Sequence, residues 1–265
     1  MVSQYNTIST KDISRIYDMY DNVHPIERSI NPYYGISVDG IQNLINEINN
    51  ANERVMPINW TTISQNFTSS ALYSICYGDG KFVAVGSNST MAYSTDGINW
   101  ITVLDKSGSG YPFQGHIRSV CYGNEKFIAV GDYGRMGYST DGTTWKASQS
   151  FTESHIYSIC YGNGKFVAVG YKGSMGYSTD GINWKAISQS IFDTDNIRSV
   201  CYGNGKFVAV GYNGRMGYST DGINWTAVSQ DFTKFHIHSI CYGNGKFVAS
   251  DRYGKMAYSQ TGLAS

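Results

Sequence analysis

Four aspartates recur in the sequence Ser-Thr-Asp-Gly, and their carboxylates are the first candidates for chemistry. They are Asp96, Asp141, Asp180 and Asp221. Hydrolysis of a glycosidic bond needs two carboxyl groups in one cleft, roughly 5 to 9.5 Å apart. These aspartates instead occur once per repeated unit, each followed by glycine, as in turns whose amides bond to an aspartate. We therefore expect the four carboxylates to stabilise turns, and we expect no catalytic residue in the chain.

Five cysteines offer thiols, but their spacing argues against both a disulfide framework and a metal site. They lie 39 to 45 residues apart, at Cys76, Cys121, Cys160, Cys201 and Cys241. The number is odd, and each repeated unit contains one. Zinc sites usually show pairs of ligands a few residues apart. The sequence therefore predicts buried thiols, no metal and no cofactor.

Tyrosine, arginine and histidine side chains gather in the segments that differ most between the repeats. The candidates for ligand binding are Tyr133, Arg135, Tyr171, Tyr212, Arg215, Tyr253, Lys255, His116, His155, His236 and Tyr111. Aromatic rings can stack on a sugar while polar groups bond its hydroxyls. Similar mixtures form protein interfaces, and they also occur on solvated loops. If the histidines converge, an anion or a metal is a further alternative.

The repeated unit that carries these residues predicts a small antiparallel sheet. In the unit beginning at His155, runs typical of strands cover Ile156–Tyr161, Lys165–Val169, Ser174–Ser178 and Ile182–Ser188, here named strands A, B, C and D. Asn-Gly between A and B predicts a tight hairpin. Four such strands in about 40 residues are typical of one propeller blade. Five units therefore predict an all-β fold, a five-bladed β-propeller.

The alternation of strand direction predicts two different faces. The B–C and D–A loops share one face and vary in sequence, whereas the A–B and C–D turns share the other and are nearly uniform. The five units start with Ala71, His116, His155, Asn196 or His236, and two positions further on lies Tyr73, Arg118, Tyr157, Arg198 or His238. The five tryptophans, one per strand D, are expected to pack between neighbouring blades. Function is expected on the variable face.

The order of the strands predicts how the ring closes. The first strand of type D, at 58–64, precedes the first strand A, and the last unit, 237–262, ends without a strand D. Pairing 58–64 with the strand near 255–259 would complete the last blade and remove two exposed sheet edges. The last unit also has Thr261 where the other units have aspartate, at the point where no connecting turn is needed.

The first 57 residues differ in pattern from the rest. Ser9 to Asp12 matches a capping box, and apolar spacing predicts a helix near 10–21. A second amphipathic helix is predicted after Asp39, ending before Pro57. We expect a small helical region at 1–57 and the propeller at 58–265. The helices either pack on the propeller or on each other, or they attach the chain to a particle or baseplate protein or make a homo-oligomer such as a trimer.

Charge and hydropathy exclude several classes of protein. The chain has 20 basic (Lys+Arg) and 20 acidic residues, so its formal net charge is zero, unlike that of a nucleic-acid-binding protein. No apolar run reaches the roughly 18 residues of a membrane helix, and the N-terminus lacks a Sec signal pattern. We expect a protein made in the cytoplasm without a signal peptide, which acts on an extracellular particle or a virion-like tail. Neither nucleic-acid binding nor membrane insertion is expected.

The sequence Tyr-Ser-Thr-Asp-Gly-Ile-Asn-Trp, as at 177–184, resembles the Asp-box, or BNR-like, repeat of sialidases and related propellers. It is one residue shorter than the usual Ser-x-Asp-x-Gly-x-x-Trp. The resemblance covers roughly 58–262 and implies a propeller with the box between the third and fourth strands of each blade. Five near-identical units are also similar to tachylectin-type lectins, and the helical start followed by a propeller resembles the layout of receptor-binding proteins of phage tails and tailocins.

Three functions compete on this basis. The first is a non-enzymatic binding module for a cell-surface glycan or receptor, carried by a phage-tail-like or other surface particle. The second is a structural or adaptor subunit of such an assembly. The third is a glycosidase, which the sequence disfavours because 58–265 contains only two glutamates, Glu125 and Glu153, and no Arg-Ile-Pro motif.

Overall fold

A computed structural model of the 265-residue chain describes residues 60–63, 67–103, 112–188, 191–229 and 232–259. The chain divides into two compact units, Met1–Thr61 and Thr62–Ser265. Both predicted N-terminal helices lie outside the described residues, as does Tyr111. Within the described ranges, no helix has the length and hydropathy needed to cross a bilayer.

Nineteen strands of the described residues form five antiparallel sheets, each built in chain order. The first sheet contains β1 (Leu72–Gly78), β2 (Lys81–Gly86), β3 (Met91–Ser94) and β4 (Ile101–Thr102), and the second contains β5 (Ile117–Gly123), β6 (Lys126–Gly131), β7 (Met136–Ser139) and β8 (Lys146–Ala147). The third contains β9 (Ile156–Gly162), β10 (Lys165–Gly170), β11 (Met175–Ser178) and β12 (Lys185–Ala186). The fourth contains β13 (Ile197–Gly203), β14 (Lys206–Gly211), β15 (Met216–Ser219) and β16 (Thr226–Ala227), and the fifth contains β17 (Ile237–Gly243), β18 (Lys246–Asp251) and β19 (Met256–Ser259).

The five sheets follow one another as blades. The first strand of each sheet packs against the first strand of the next, from β1 to β5, β9, β13 and β17. Because these strands meet one another, they lie innermost, and the short fourth strands lie outermost. The all-β architecture of five blades is therefore as the sequence predicts.

The turns between the first and second strands form as their sequence requires. In the third blade, Asn163 and Gly164 both have positive φ, 45° and 71°. Two consecutive residues with positive φ are typical of the type I′ turn, which asparagine and glycine tolerate best. The turn joins β9 to β10 with Gly162 opposite Lys165.

The fourth strands are shorter than the sequence predicts. The expected strand Ile182–Ser188 is only Lys185–Ala186 in the structure. The amides of Ile182 and Asn183 donate to the Asp180 carboxylate instead of to a neighbouring strand. The turn around the aspartate is therefore larger than a two-residue hairpin, and it shortens the strand that follows.

Apolar clusters between neighbouring blades form most of the core. The cluster between the second and third blades joins Ile128, Val130 and Met136 from one side to Ile156, Phe166 and Trp184 from the other. Equivalent clusters join the first blade to the second, the third to the fourth and the fourth to the fifth. Trp100, Trp145 and Trp184 are buried and Trp225 is half-buried, whereas Trp60, which lies in no strand, is exposed.

A tyrosine packed on a glycine repeats at each of these four interfaces. The ring of Tyr202, in β13, covers Gly162, at the end of β9, so closely that a Cβ on the glycine would lie 2.0 Å from the ring. The other pairs are Tyr122 on Gly78, Tyr161 on Gly123 and Tyr242 on Gly203. Only glycine leaves room for the ring at these positions, so the contact fixes the distance between successive inner strands.

The outer sides of the first and last blades have no neighbouring blade among the described residues, although Phe67 stacks on Trp100 on the outer side of the first blade, with ring centroids 5.6 Å apart. Packing like that between consecutive first strands does not recur between β17 and β1. Tyr77, the first-blade equivalent of the packed tyrosines, is 60% exposed, and Gly243, the last-blade equivalent of the covered glycines, has no atom within 4 Å of a Cβ. Residues 60–63 belong to no strand, and 58, 59 and 64 lie outside the described residues, so the predicted pairing with β19 is not seen.

Candidate functional site

Hydrogen bonds between blades define two faces of the molecule. The box face carries the turns that join first to second strands and the Ser-Thr-Asp-Gly segments. The loop face carries the segments between second and third strands, together with the starts of the first strands. In the second to fourth blades, the loop-face segments contain short 3-10 turns at Asp132–Gly134, Tyr171–Gly173 and Tyr212–Gly214.

On the box face, Asp180 organises its own turn. Its Oδ1 accepts hydrogen bonds from the amides of Ile182 and Asn183, both at 2.8 Å, and its Oδ2 accepts one from Asn183 Nδ2 at 2.7 Å. Ser178 Oγ donates to Asp180 Oδ1 at 2.9 Å and accepts from the Gly181 amide. Trp184 Nε1 then donates to the Gly181 carbonyl. The turn is therefore closed by its own side chains.

Asp96, Asp141 and Asp221 accept the same amide and serine bonds. The asparagine bond recurs at Asp96 and Asp221, and the indole bond recurs at Trp100. Burial opposes ionisation of Asp141, Asp180 and Asp221, but hydrogen bonds from backbone amides and neighbouring side chains outweigh it and hold the pKa of each carboxyl well below its usual range. For Asp96, the amide of Asn99 is the largest cause of the lowered pKa. Each carboxylate is a fixed acceptor in a separate turn.

The box face also uses its side chains to join blades. Asn124 Nδ2, in the second blade, donates to the Thr179 carbonyl of the third blade at 3.2 Å. Asn163 Nδ2 repeats this contact with Thr220 of the fourth blade at 3.4 Å. The uniform sequence of this face therefore reflects repeated packing.

The cysteines are free thiols, as predicted, but they are not uniformly buried. Four are half-buried, and Cys241, whose blade has no neighbour on that side, is exposed. Burial raises the pKa of Cys76 and Cys201 to about 12 and that of Cys121 and Cys160 well above the usual range. Thiols with raised pKa are poor nucleophiles. Among the residues that the structure describes, no group of three or more His, Cys, Asp or Glu could hold a metal ion.

On the loop face, the predicted histidines bond to backbone amides of the preceding blade. His116 Nδ1 lies 3.4 Å from the Asn88 amide, and His236 Nδ1 lies 3.2 Å from the Asn213 amide. In the fourth blade, Asn196 Oδ1 accepts from the Lys172 amide at 2.9 Å. His155 Nδ1 lies 3.3 Å from the Tyr133 amide nitrogen and 3.0 Å from Asp132 Oδ1. These side chains therefore hold consecutive blades together.

The basic residues predicted in the loops are engaged within their own blades. Arg135 donates to Gln114 Oε1 at 3.1 Å, and Lys255 Nζ donates to the Phe232 carbonyl. Arg215 pairs with the carboxylates of Asp193, at 2.7 Å, and Asp195, at 2.9 Å. All three fasten the segment that enters the blade to the loop between its second and third strands.

The tyrosines of the loop face differ in exposure. Tyr133 and Tyr253 are 67% and 64% exposed. Tyr171 and Tyr212 are half-buried, and the Tyr212 ring stacks on His236 with centroids 3.7 Å apart. Phe235, which was not among the sequence candidates, is 52% exposed and packs edge-on against Tyr253 at 4.5 Å. Exposed aromatic rings therefore stand at two separate places on this face.

Asp132 is a further loop-face residue that the sequence candidates did not include. Its Oδ1 accepts from Arg118 Nε at 2.6 Å, and its Oδ2 accepts from the His116 amide at 3.2 Å. Burial opposes ionisation, but the hydrogen bond from Arg118 and the other contacts outweigh it and lower the pKa of Asp132. The other loops have no aspartate at this position. An alignment of the five repeats would therefore have marked Asp132 as a candidate.

Arginines and tyrosines alternate beyond Asp132 in what we call the central row, which consists of Arg118, Tyr157, Arg198, Tyr212 and His236. The guanidinium carbons of Arg118 and Arg198 lie 5.3 and 5.0 Å from the centroid of the Tyr157 ring. Arg198 also lies 4.9 Å from the Tyr212 ring and donates to Tyr212 Oη at 2.5 Å. The row brings Tyr212 and His236, two predicted residues, together with Arg118, Tyr157 and Arg198, which were not predicted as ligand-binding residues.

Comparison with solved structures shows the fold. The chain is similar to the computationally designed Ika8 protein, with 12% identity over 74% of this chain and 61% of that chain, at a TM-score of 0.57. It is similar to YCF48 bound to a D1 peptide (16% identity, 76% and 67%, TM-score 0.56) and to the WD40 β-propeller domain of Doa1 (13% identity, 72% and 64%, TM-score 0.54).

These neighbours establish a β-propeller fold and no function. At identities of 12 to 16%, the likeness is one of fold alone. The chain spans 61 to 67% of the length of these proteins. No protein-family model and no curated protein sequence matches the chain.

Proposed function

We propose that the chain is a non-enzymatic binding module that recognises a cell-surface glycan or a protein receptor through its loop face. One observation carries this proposal: the two faces use their side chains differently. The box face repeats the same internal bonds from blade to blade, whereas the loop face presents different exposed side chains in each blade. A surface that varies on a constant scaffold is typical of recognition.

The exposed aromatic rings of the loop face support this function. Tyr133, Phe235 and Tyr253 are each more than half exposed, which leaves apolar surface in contact with water. Aromatic side chains are enriched in the cores of binding interfaces, and their faces also suit the apolar side of a sugar ring. Several weak sites on one rigid domain would add avidity.

A glycan array tests the proposal with the full chain, with a double variant Tyr133→Ala/Tyr253→Ala and with Ile98→Ala as the control. Ile98 is 62% exposed on the box face, so the control removes a similar kind of surface. We expect selective binding by the wild type and the control, and a loss of about tenfold or more in affinity for the double variant. Equal binding by all three proteins, or no selective binding to any glycan or cell surface, would contradict it.

We propose further that the protein is part of a phage-tail-like or other surface particle, attached to a baseplate protein through residues 1–57. The layout of the sequence supports this, because a separate N-terminal region precedes the repeats. We also assign the repeats to the Asp-box type. The serine, aspartate, glycine and tryptophan at 178–184 each take part in the closed turn of that segment.

We propose, finally, that the ring is closed by contact between the last and first blades, with 58–64 pairing beside β19. The two uncovered sides are complementary halves of the repeated interface: Tyr77 matches the tyrosines that cover glycine, and Gly243 matches the covered glycines. On the side that faces away from the fourth blade, Met256 and Tyr258 are 65% and 70% exposed. Closure would bury these apolar side chains.

The substitution Gly243→Ala tests closure, with Gly203→Ala as its reference. A Cβ at Gly203 would lie 2.0 Å from the Tyr242 ring, so that variant must lose stability. If Tyr77 covers Gly243 in a closed ring, both variants should lose more than about 2 kcal/mol in urea unfolding. If Gly243→Ala unfolds like the wild type while Gly203→Ala does not, the ring is open.

A further inference from the structure

The central row contains a positive charge that no carboxylate of the described residues neutralises. Arg118 is paired with Asp132 at 2.6 Å, but Arg198 has no carboxylate within 4.0 Å among the described residues. Its Nη2 donates to Tyr212 Oη, and its buried Nε has no hydrogen-bond partner. Leaving a buried donor without a partner costs free energy, so a partner from outside the chain would stabilise this arginine.

Arg252 adds a second positive charge close to His238, beside Arg198. Burial, followed by the charges of Arg198, His236 and Arg252, lowers the pKa of the exposed His238. The one nearby carboxylate on this side, Asp251, accepts bonds from Thr233 Oγ1 and from the amides of Tyr253 and Lys255. The carboxylates beside the row, those of Asp132 and Asp251, therefore already accept hydrogen bonds within the chain, while Arg198 and Arg252 leave a local excess of positive charge in a chain of zero net charge.

We propose that Arg198, between Tyr157 and Tyr212, binds the carboxylate of an acidic saccharide. This inference rests on the proposed function and names the class of its ligand. Arginine presents a planar fork of donors that matches a carboxylate, and rotation of the guanidinium would bring Nε to one of its oxygens. The hydroxyls of Tyr157 and Tyr212 can hydrogen-bond to the hydroxyls of the sugar, while the charge of Arg252 favours an anion over a neutral sugar.

The arrangement differs from a merely structural arginine. Arg215 shows what structural pairing looks like in this fold, because two aspartates hold it at 2.7 and 2.9 Å. Arg198 occupies an inner strand, where its neighbours in the row are aromatic rings and another arginine. Arg118 and Arg198 flank one tyrosine ring, but only Arg118 has a carboxylate partner, so an anion beside Arg198 would balance the second charge.

Isothermal titration of the full chain tests the inference with trigalacturonate and with its methyl ester, which is the same saccharide without its charges. The variants are Arg198→Gln, Arg198→Lys and, as a control with equal loss of charge, Lys185→Gln, which lies exposed on β12. We expect the acid to bind at least about tenfold tighter than the ester. Arg198→Gln should remove that preference, Arg198→Lys should keep part of it, and Lys185→Gln should keep all of it.

The outcomes separate this inference from the proposed function. If the ester binds as tightly as the acid, or if Arg198→Gln retains the preference while its circular dichroism matches the wild type, the inference is wrong and glycan binding stands. If inorganic sulfate binds as tightly as trigalacturonate, the row is an anion site without sugar recognition, and the inference is again wrong. If no glycan of any charge binds on the array, the proposed function fails as well.

Discussion

The carboxylate of Asp180 shows how a single residue type can suggest catalysis in the sequence and serve structure in the molecule. Its two oxygens accept from two amides, one serine hydroxyl and one asparagine side chain, all within seven consecutive residues. No second carboxylate takes part in this network. A carboxylate with this many donors stays ionised and fixed, which suits a turn and not proton transfer.

Replacing Asp180 with alanine should destabilise the protein without altering its loop face. The amides of Ile182 and Asn183 would lose their acceptor, and we expect a loss of about 1 to 2 kcal/mol in urea unfolding. Glu153→Ala removes the same charge from an exposed position and should be neutral within about 0.5 kcal/mol. Equal stability of the two variants would show that the turn does not depend on the carboxylate.

Stability should also fall in acid. The folded-state pKa values of Asp141, Asp180 and Asp221 are lowered, so these groups stabilise the fold at pH values above the unfolded-state pKa and lose that effect as pH falls through the folded-state value. Urea midpoints should therefore decrease below about pH 4. The decrease should be smaller in Asp180→Ala than in Glu153→Ala. Midpoints that stay constant or rise between pH 4.5 and 2.5 would contradict this assignment.

At the scale of elements, the loop between the second and third strands decides how blades meet. Its central residue has positive φ, as at Asn88 (52°), Lys172 (50°) and Asn213 (55°). This conformation aims the residue's amide at the histidine or asparagine that starts the next blade. The loop therefore links one blade to the next.

Lys172→Asn should stabilise the third loop. Asparagine adopts positive φ more readily than lysine, and the equivalent loops of the first and fourth blades already contain it. We expect a gain of about 0.5 to 1 kcal/mol, measured as a higher urea midpoint. Lys165→Asn, within β10, is the matched control and should be slightly destabilising because asparagine is a poor strand former. A gain at both positions, or at neither, would contradict the explanation.

The sequence predicts the blades well because their signals are local. Asn163-Gly164 specifies its turn by backbone preference alone, and the apolar run after Lys165 marks a strand covered on both faces. The predicted length of strand D was wrong because the amides of Ile182 and Asn183 donate to a side chain, that of Asp180, and not to a neighbouring strand. The roles of His116 and His236 were missed because their partners are amides 23 to 28 residues away, in another blade.

At the scale of the whole molecule, four nearly identical interfaces hold the five blades in sequence. Each joins the apolar side of one blade to the opposite side of the next, with a tyrosine seated on a glycine. The outer side of the first blade carries Tyr77, and the outer side of the last blade carries Gly243, which are the two members of such a contact. Stability should therefore depend strongly on whether the last pair meets.

Two truncations test this at the N-terminus. Removing 1–65 deletes the proposed closing strand and should lower the melting temperature of the propeller, because Tyr77, Met256 and Tyr258 would stay exposed. Removing 1–54 keeps that strand and should leave the melting temperature close to that of the full chain. Equal melting temperatures for the two truncated proteins would rule out a closing role for 58–64.

The repeated packing of tyrosine on glycine also has a consequence for how such a chain can evolve. Since every blade presents a tyrosine on one side and a glycine on the other, a gene duplication that inserts one whole unit creates two junctions of the kind already present. No new interface has to arise by point mutation. Only the curvature shared among the blades must adjust, so the number of blades can change in single steps while each inherited junction is preserved.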